Sequence, residues 1–168
     1  MVKEMKNIEV EMGNIEIARG EHDLAASGIG SCLVITFYDP KHKIGALAHT
    51  MLYARRLSSE VRSSKDERRK TNPDESPDTK YADTAIDEVL KRIDSLGAKR
   101  ENIEVKLIGG ANMFSAFKSD FVKENVTRVK EKLEKADIAI VGECVGGSQG
   151  RSVEFSVNTG IVTVKTKF

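Results

Sequence analysis

Tryptophan is absent from this chain of 168 residues, aromatic residues make up 5% of it, and its many charges balance to a net +1. Without a basic excess, or aromatics interleaved with Lys and Arg, the chain has neither the electrostatic footprint nor the stacking surface that nucleic acid requires. Only two cysteines occur, too few for a disulfide framework. No window approaches the length of about 20 apolar residues that a membrane span needs. The start, Met1-Val2-Lys3-Glu4-Met5-Lys6-Asn7, has no apolar signal region. These absences point to a cytoplasmic protein with reduced thiols and no direct membrane insertion. The length fits a single domain spanning 1–168 with a real core.

What is present is strand and helix patterning. Residues 7–18 alternate apolar and acidic around Gly13-Asn14, which predicts two short strands and a turn. Residues 19–26 read as irregular, Leu33–Tyr38 and Ile44–Leu52 as strands, and Asp39-Pro40-Lys41-His42 as a turn. Residues 55–80 hold eight Lys/Arg, six Asp/Glu and two of the three prolines, with Leu57 and Val61 the sole aliphatics. Such a stretch buries too little apolar area to offset its ordering entropy, so a mobile insertion loop is expected there. An apolar stripe from Ala82 to Leu96 with Gly97 behind it predicts a helix and its C-cap. Ile103–Ile108 reads as a strand, Val122 to Ala136 as a second helix, Ile138–Val141 as a short buried strand, and Val153–Val157 with Ile161–Lys165 as a closing hairpin. The most economical packing is α+β: layered mixed sheets flanked by two main helices.

The stretch that carries chemistry is Ser27-Gly28-Ile29-Gly30-Ser31-Cys32, leading directly into a strand. Glycines tolerate positive φ and permit a sharp turn. That turn would set a thiol at a strand mouth beside free backbone N–H groups, as a nucleophile with an oxyanion site requires. A lone cysteine is otherwise a small buried hydrophobe. If Pro40-Lys41 centres the hairpin turn, paired residue numbers sum to 81, and Cys32 faces His49. An adjacent imidazolium would then hold the thiol as thiolate. The bland alternative for His49 is a core histidine bonded to backbone. His22 and His42 read as surface residues and Cys144 as structural. The cysteines and histidines match no zinc spacing, and neither Gly109-Gly110 nor Gly146-Gly147 continues as a phosphate loop.

Six ordered motifs carry a resemblance: Gly28-Ile29-Gly30-Ser31-Cys32, Tyr38-Asp39-Pro40, Gly45-Ala46-Leu47-Ala48-His49-Thr50-Met51-Leu52, Tyr81-Ala82-Asp83-Thr84-Ala85, Gly109-Gly110-Ala111-Asn112-Met113-Phe114, and Gly146-Gly147 with Gly150-Arg151-Ser152. Together they closely resemble the chemoreceptor glutamine deamidase family CheD. The resemblance implies hydrolysis of glutamine side chains on methyl-accepting chemotaxis receptors to glutamate, with release of ammonia. It implies Cys32 and His49 as catalytic residues, no cofactor or metal, and a fold like the catalytic domain of the cytotoxic necrotizing factor toxins. It also implies binding to a CheC-type phosphatase. The family's third catalytic residue is a threonine at the position of Ala26, so Ser27 and Ser31 are the candidates for a third residue or for the oxyanion turn. The Ala26 departure motivates a rival reading, a regulatory module that docks a CheC-type phosphatase with weak or lost deamidase activity. A thioester can also be opened by an amine, which makes transglutamination a third reading.

Overall fold

The computed structural model describes residues 6–54, 76–113 and 119–167. Most of the loop expected at 55–80, and Phe114 of the fifth motif, lie outside these described residues. Nine strands occur among them: β1 (Lys6–Glu9), β2 (Ile15–Arg19), β3 (His22–Ile29), β4 (Leu33–Asp39), β5 (Ile44–Thr50), β6 (Glu104–Gly109), β7 (Ala139–Val145), β8 (Arg151–Ser156) and β9 (Val162–Thr166). Two helices, α1 (Ala82–Ser95) and α2 (Ser119–Lys135), accompany them. One sheet runs β1-β3-β8-β9 and the other β2-β5-β4-β6-β7; each mixes parallel and antiparallel pairs. The fold is α+β, as the patterning predicts.

Two apolar layers hold it together. Leu33, Ile35 and Phe37 of β4 pack with Ala46 and Ala48 of β5 and with Ile86, Val89, Ile93, Val129 and Leu133 of the helices. The opposite face of the same hairpin, including Val34, Tyr38 and Leu47, packs with Leu24, Ile29, Val153 and Phe155 of the other sheet. Strands β4 and β5 are therefore buried throughout, which is why they read as near-continuous apolar runs rather than as alternation. Helix α1 buries the predicted stripe from Ala82 to Ile93, while Leu96, just past its end, is exposed. It ends in a Schellman motif, in which Gly97 (φ 97°) and Ala98 donate to the carbonyls of Asp94 and Ile93. No helix among the described residues is long and apolar enough to cross a membrane.

Three expectations need correction. Residues 19–26, read as irregular, lead into and form most of β3 (His22–Ile29), whose ladder to β8 bulges between Ala26 and Ile29 beside Gly28 (φ 65°). The local signal was poor because His22, Asp23 and the bulge break the strand pattern. Strand β7 is longer than Ile138–Val141 and is an edge strand, with Val141 exposed. Finally, β4 and β5 pair with residue numbers summing to 83, Val34 opposite His49 and Leu33 opposite Thr50. The loop between Asp39 and Ile44 has four residues because Asp39 Oδ1 accepts from the N–H groups of both Lys41 and His42, and Lys43 turns back at φ 50°.

Candidate active site

The register differs from the expected one by two residues, and a shift of two preserves the face on which each side chain lies. His49 thus faces the space between the sheets, alongside Val34, and Cys32 lies one residue before β4, outside the paired residues, instead of directly opposite His49. Cys32 lies in the bend through which the chain leaves β3 in one sheet and enters β4 in the other.

The connection from β1 to β2 crosses the same gap and contacts both residues. Val10 is buried there, and its carbonyl lies 3.1 Å from His49 Nδ1. A carbonyl only accepts, so Nδ1 carries the proton and Nε2 presents its lone pair. Nε2 is buried and has no hydrogen-bond partner among the described residues. The backbone of His49 is pinned as well: its N–H donates to Asn14 and its carbonyl accepts from Gly13. Met12, from the same connection, brings Sδ to 3.6 Å from Cys32 Sγ. Sequence reading missed this support, because residues 7–18 suggest a local turn and nothing in them signals a crossing between sheets.

Burial pushes the Cys32 thiol up, against the hydrogen bond from its own backbone N–H. Burial pulls His49 down, against the Val10 carbonyl and the charge of Glu9. Both directions favour the neutral thiol and imidazole over the expected imidazolium and thiolate. Of the candidates for a third residue, Ser27 is exposed and its Oγ donates to Glu9 at 2.7 Å. Ser31 is exposed in the bend before Cys32. Ala26 is buried in the layer between the sheets.

Two glycine segments brace the bend that holds Cys32. Gly110 and Ala111 donate to the carbonyls of Cys32 and Gly30, both at 2.9 Å. Gly109 (φ 117°) approaches so closely that a Cβ there would overlap the Cys32 carbonyl oxygen. Gly146 donates to Gly109, and Asn112 donates to Gly147. Arg151, buried on β8, donates to the carbonyls of Gly146 at 2.7 Å and Gly109 at 3.4 Å. The glycine pairs are strand-end turns, as their sequence suggests, and tertiary packing gathers them under Cys32. The other two histidines lie elsewhere: His42 Nδ1 is 2.8 Å from Asp39 Oδ2, and His22 is on β3. Cys144 is on β7 and packs against the inter-sheet layer. Among the described residues, no three His, Cys, Asp or Glu side chains are grouped so as to hold a metal ion.

Comparison with known proteins bears on this arrangement. The family model described as CheD chemotactic sensory transduction matches residues 64–166. The chain is 34% identical over 163 residues to the chemoreceptor glutamine deamidase CheD of Halalkalibacterium halodurans, covering 95% of this chain and 93% of that protein. The chain belongs to the CheD family. Proteins named probable chemoreceptor glutamine deamidase CheD are similar as well: that of Methanococcus maripaludis is 36% identical over 95% of this chain and 94% of its own length. That of Pyrococcus abyssi is 35% identical over 95% of this chain and 91% of its own length. The family match begins after Cys32 and His49, whereas the alignments with these CheD relatives extend over nearly the whole chain.

Proposed function

We propose that this protein is a cysteine-dependent protein-glutamine deamidase acting on chemotaxis receptors, in which Cys32 is the nucleophile and His49 the general base and acid. The observation that carries this reading is the bare, buried Nε2 of His49, with its tautomer held by Val10, in a segment whose neighbour Met12 touches Cys32. The names of the CheD relatives support the substrate class.

With both groups neutral, attack is coupled to proton transfer. Cys32 Sγ bonds to the carboxamide carbon of the glutamine while its proton passes to Nε2. The resulting oxyanion lies at the Gly30–Cys32 turn, where backbone N–H groups are the natural donors. His49 then gives its proton to the departing nitrogen, ammonia leaves and a thioester remains. Water attacks the thioester with His49 taking its proton, and collapse releases glutamate and the thiol. For this cycle the thiol turns from Met12 toward Nε2.

The missing threonine at Ala26 does not by itself favour the rival docking-module reading, because the Val10 carbonyl can orient His49 without a side-chain hydroxyl. Docking to a CheC-type phosphatase, a cytoplasmic location and kinship with the cytotoxic necrotizing factor fold belong to the same proposal as its family-level extensions. The deciding experiment follows glutamine-to-glutamate conversion on receptor fragments by mass spectrometry. Cys32→Ala is expected to fall by about 10³-fold or more, as loss of covalent catalysis does elsewhere. Equal conversion by variant and wild type would refute the assignment.

A further inference from the structure

Six large hydrophobic side chains are exposed among the described residues, and three of them are methionines: Met12 at 51%, Met51 at 46% and Met113 at 47%. Of the other three, Leu96 follows α1, Val141 is on β7 and Ile161 lies between β8 and β9. Apolar residues scattered singly on a surface are ordinary, but a group around a reactive side chain is not. Met12 Sδ is 3.6 Å from Cys32 Sγ. The Met113 thioether occupies the space a Gly30 side chain would take, and Met113 Cε is 3.8 Å from an ideal Cβ at Gly150. Met51 directly follows Thr50, the last residue of β5, which pairs with Leu33, the neighbour of Cys32. Met12 and Met113 therefore set thioethers against the bend that holds Cys32, and exposed Met51 follows the strand end paired beside it. Ser31, the neighbour of Cys32 in this bend, is exposed and uncharged.

We propose that Met12, Met51 and Met113 form the recognition rim of the active site, seating apolar side chains that flank the target glutamine in a substrate polypeptide. The inference rests on the deamidase reading and deepens it. Continuity with the nucleophile identifies the occupant: a glutamine side chain that reaches Cys32 brings its own flanking residues over Met12. Methionine suits that task because its flexible, polarisable side chain repacks against apolar groups of different shape. The rim thus favours an apolar setting for the glutamine without demanding one sequence.

The test uses two synthetic peptides that share a central glutamine, one flanked on both sides by apolar residues and the other by Ser and Glu. Wild type is expected to prefer the first by about tenfold or more in kcat/KM, the scale on which apolar contacts discriminate. In the Met51→Gln/Met113→Gln double variant that preference falls to about twofold or less, with the loss in KM, while Met→Leu at both positions retains it. An unmoved preference in the double variant, or none in wild type, overturns the rim. Fluorescence anisotropy with the labelled apolar peptide and Cys32→Ala protein separates the two readings. Binding that depends on Met51 and Met113, with no deamidation by wild type, keeps the rim and removes the deamidase. Deamidation with an unmoved preference does the reverse.

Discussion

Gly109 shows what a single atom decides at this site. At its φ of 117°, an added methyl group would overlap the Cys32 carbonyl oxygen and lie 2.8 Å from Ile29 Cγ2, so no side chain fits. Gly109→Ala is expected to destabilise the protein by about 2–4 kcal/mol, combining backbone strain with overpacking, and to reduce deamidation by more than tenfold. Gly97→Ala provides the contrast: φ is 97° but nothing lies within 4 Å, so the expected loss is about 1 kcal/mol from strain alone. Urea unfolding of both variants measures the difference, and similar losses would contradict the close-approach argument. At this scale the sequence was informative about residue types. Cys32 and His49 stand out because a thiol behind glycines and an imidazole on an apolar strand each call for an explanation. The Val10 carbonyl could not stand out, because every residue has one and only packing aims it at His49.

At the scale of elements, the β4–β5 hairpin depends on Asp39. Its carboxylate is buried and accepts from the N–H groups of Lys41 and His42, from the His42 ring and from the N–H of Lys99. Burial alone would raise Asp39, but these hydrogen bonds outweigh it and hold the group below its ordinary 3.8. A depressed folded value means stability that is present above about pH 4 and is lost as pH falls through the folded value. Asp39→Ala is therefore expected to lose about 2–4 kcal/mol at pH 7, where Lys99 N–H is left without its acceptor. Urea midpoints taken from pH 7 down to pH 3 should show the gap between wild type and variant narrowing; a constant gap would contradict the linkage. The same carboxylate explains the register. Asp-Pro reads as the start of a tight turn, but an aspartate that accepts from two successive N–H groups builds a longer loop, which sequence spacing alone does not distinguish. The strands were legible and the loop length was not.

For the molecule as a whole, the burial of Cys32 and His49 makes predictions about pH. His49 is held below 6.5 by burial. As pH falls below that value the unfolded chain binds a proton that folded His49 refuses, so this contribution to stability is present above about 6.5 and is lost toward acid. Wild type should therefore lose more stability than His49→Gln between pH 7.5 and 5, read from urea midpoints; parallel curves would count against it. Alkylation of Cys32 by iodoacetamide should have its midpoint at or above the ordinary thiol value of 9.0, and a midpoint below 7 would restore the ion-pair picture. The sequence by itself determined the α+β class, the two amphipathic helices and the strand runs other than β3, and it singled out Cys32 and His49 as candidates, because hydrophobic periodicity and residue chemistry are local properties. Only the tertiary structure decided that the β1–β2 connection and the β3–β4 bend cross the same gap between sheets. That crossing brings Val10 to His49, Met12 to Cys32 and the glycine turns beneath the bend, since contacts between distant segments depend on how the two sheets stack and not on the spacing within any one of them.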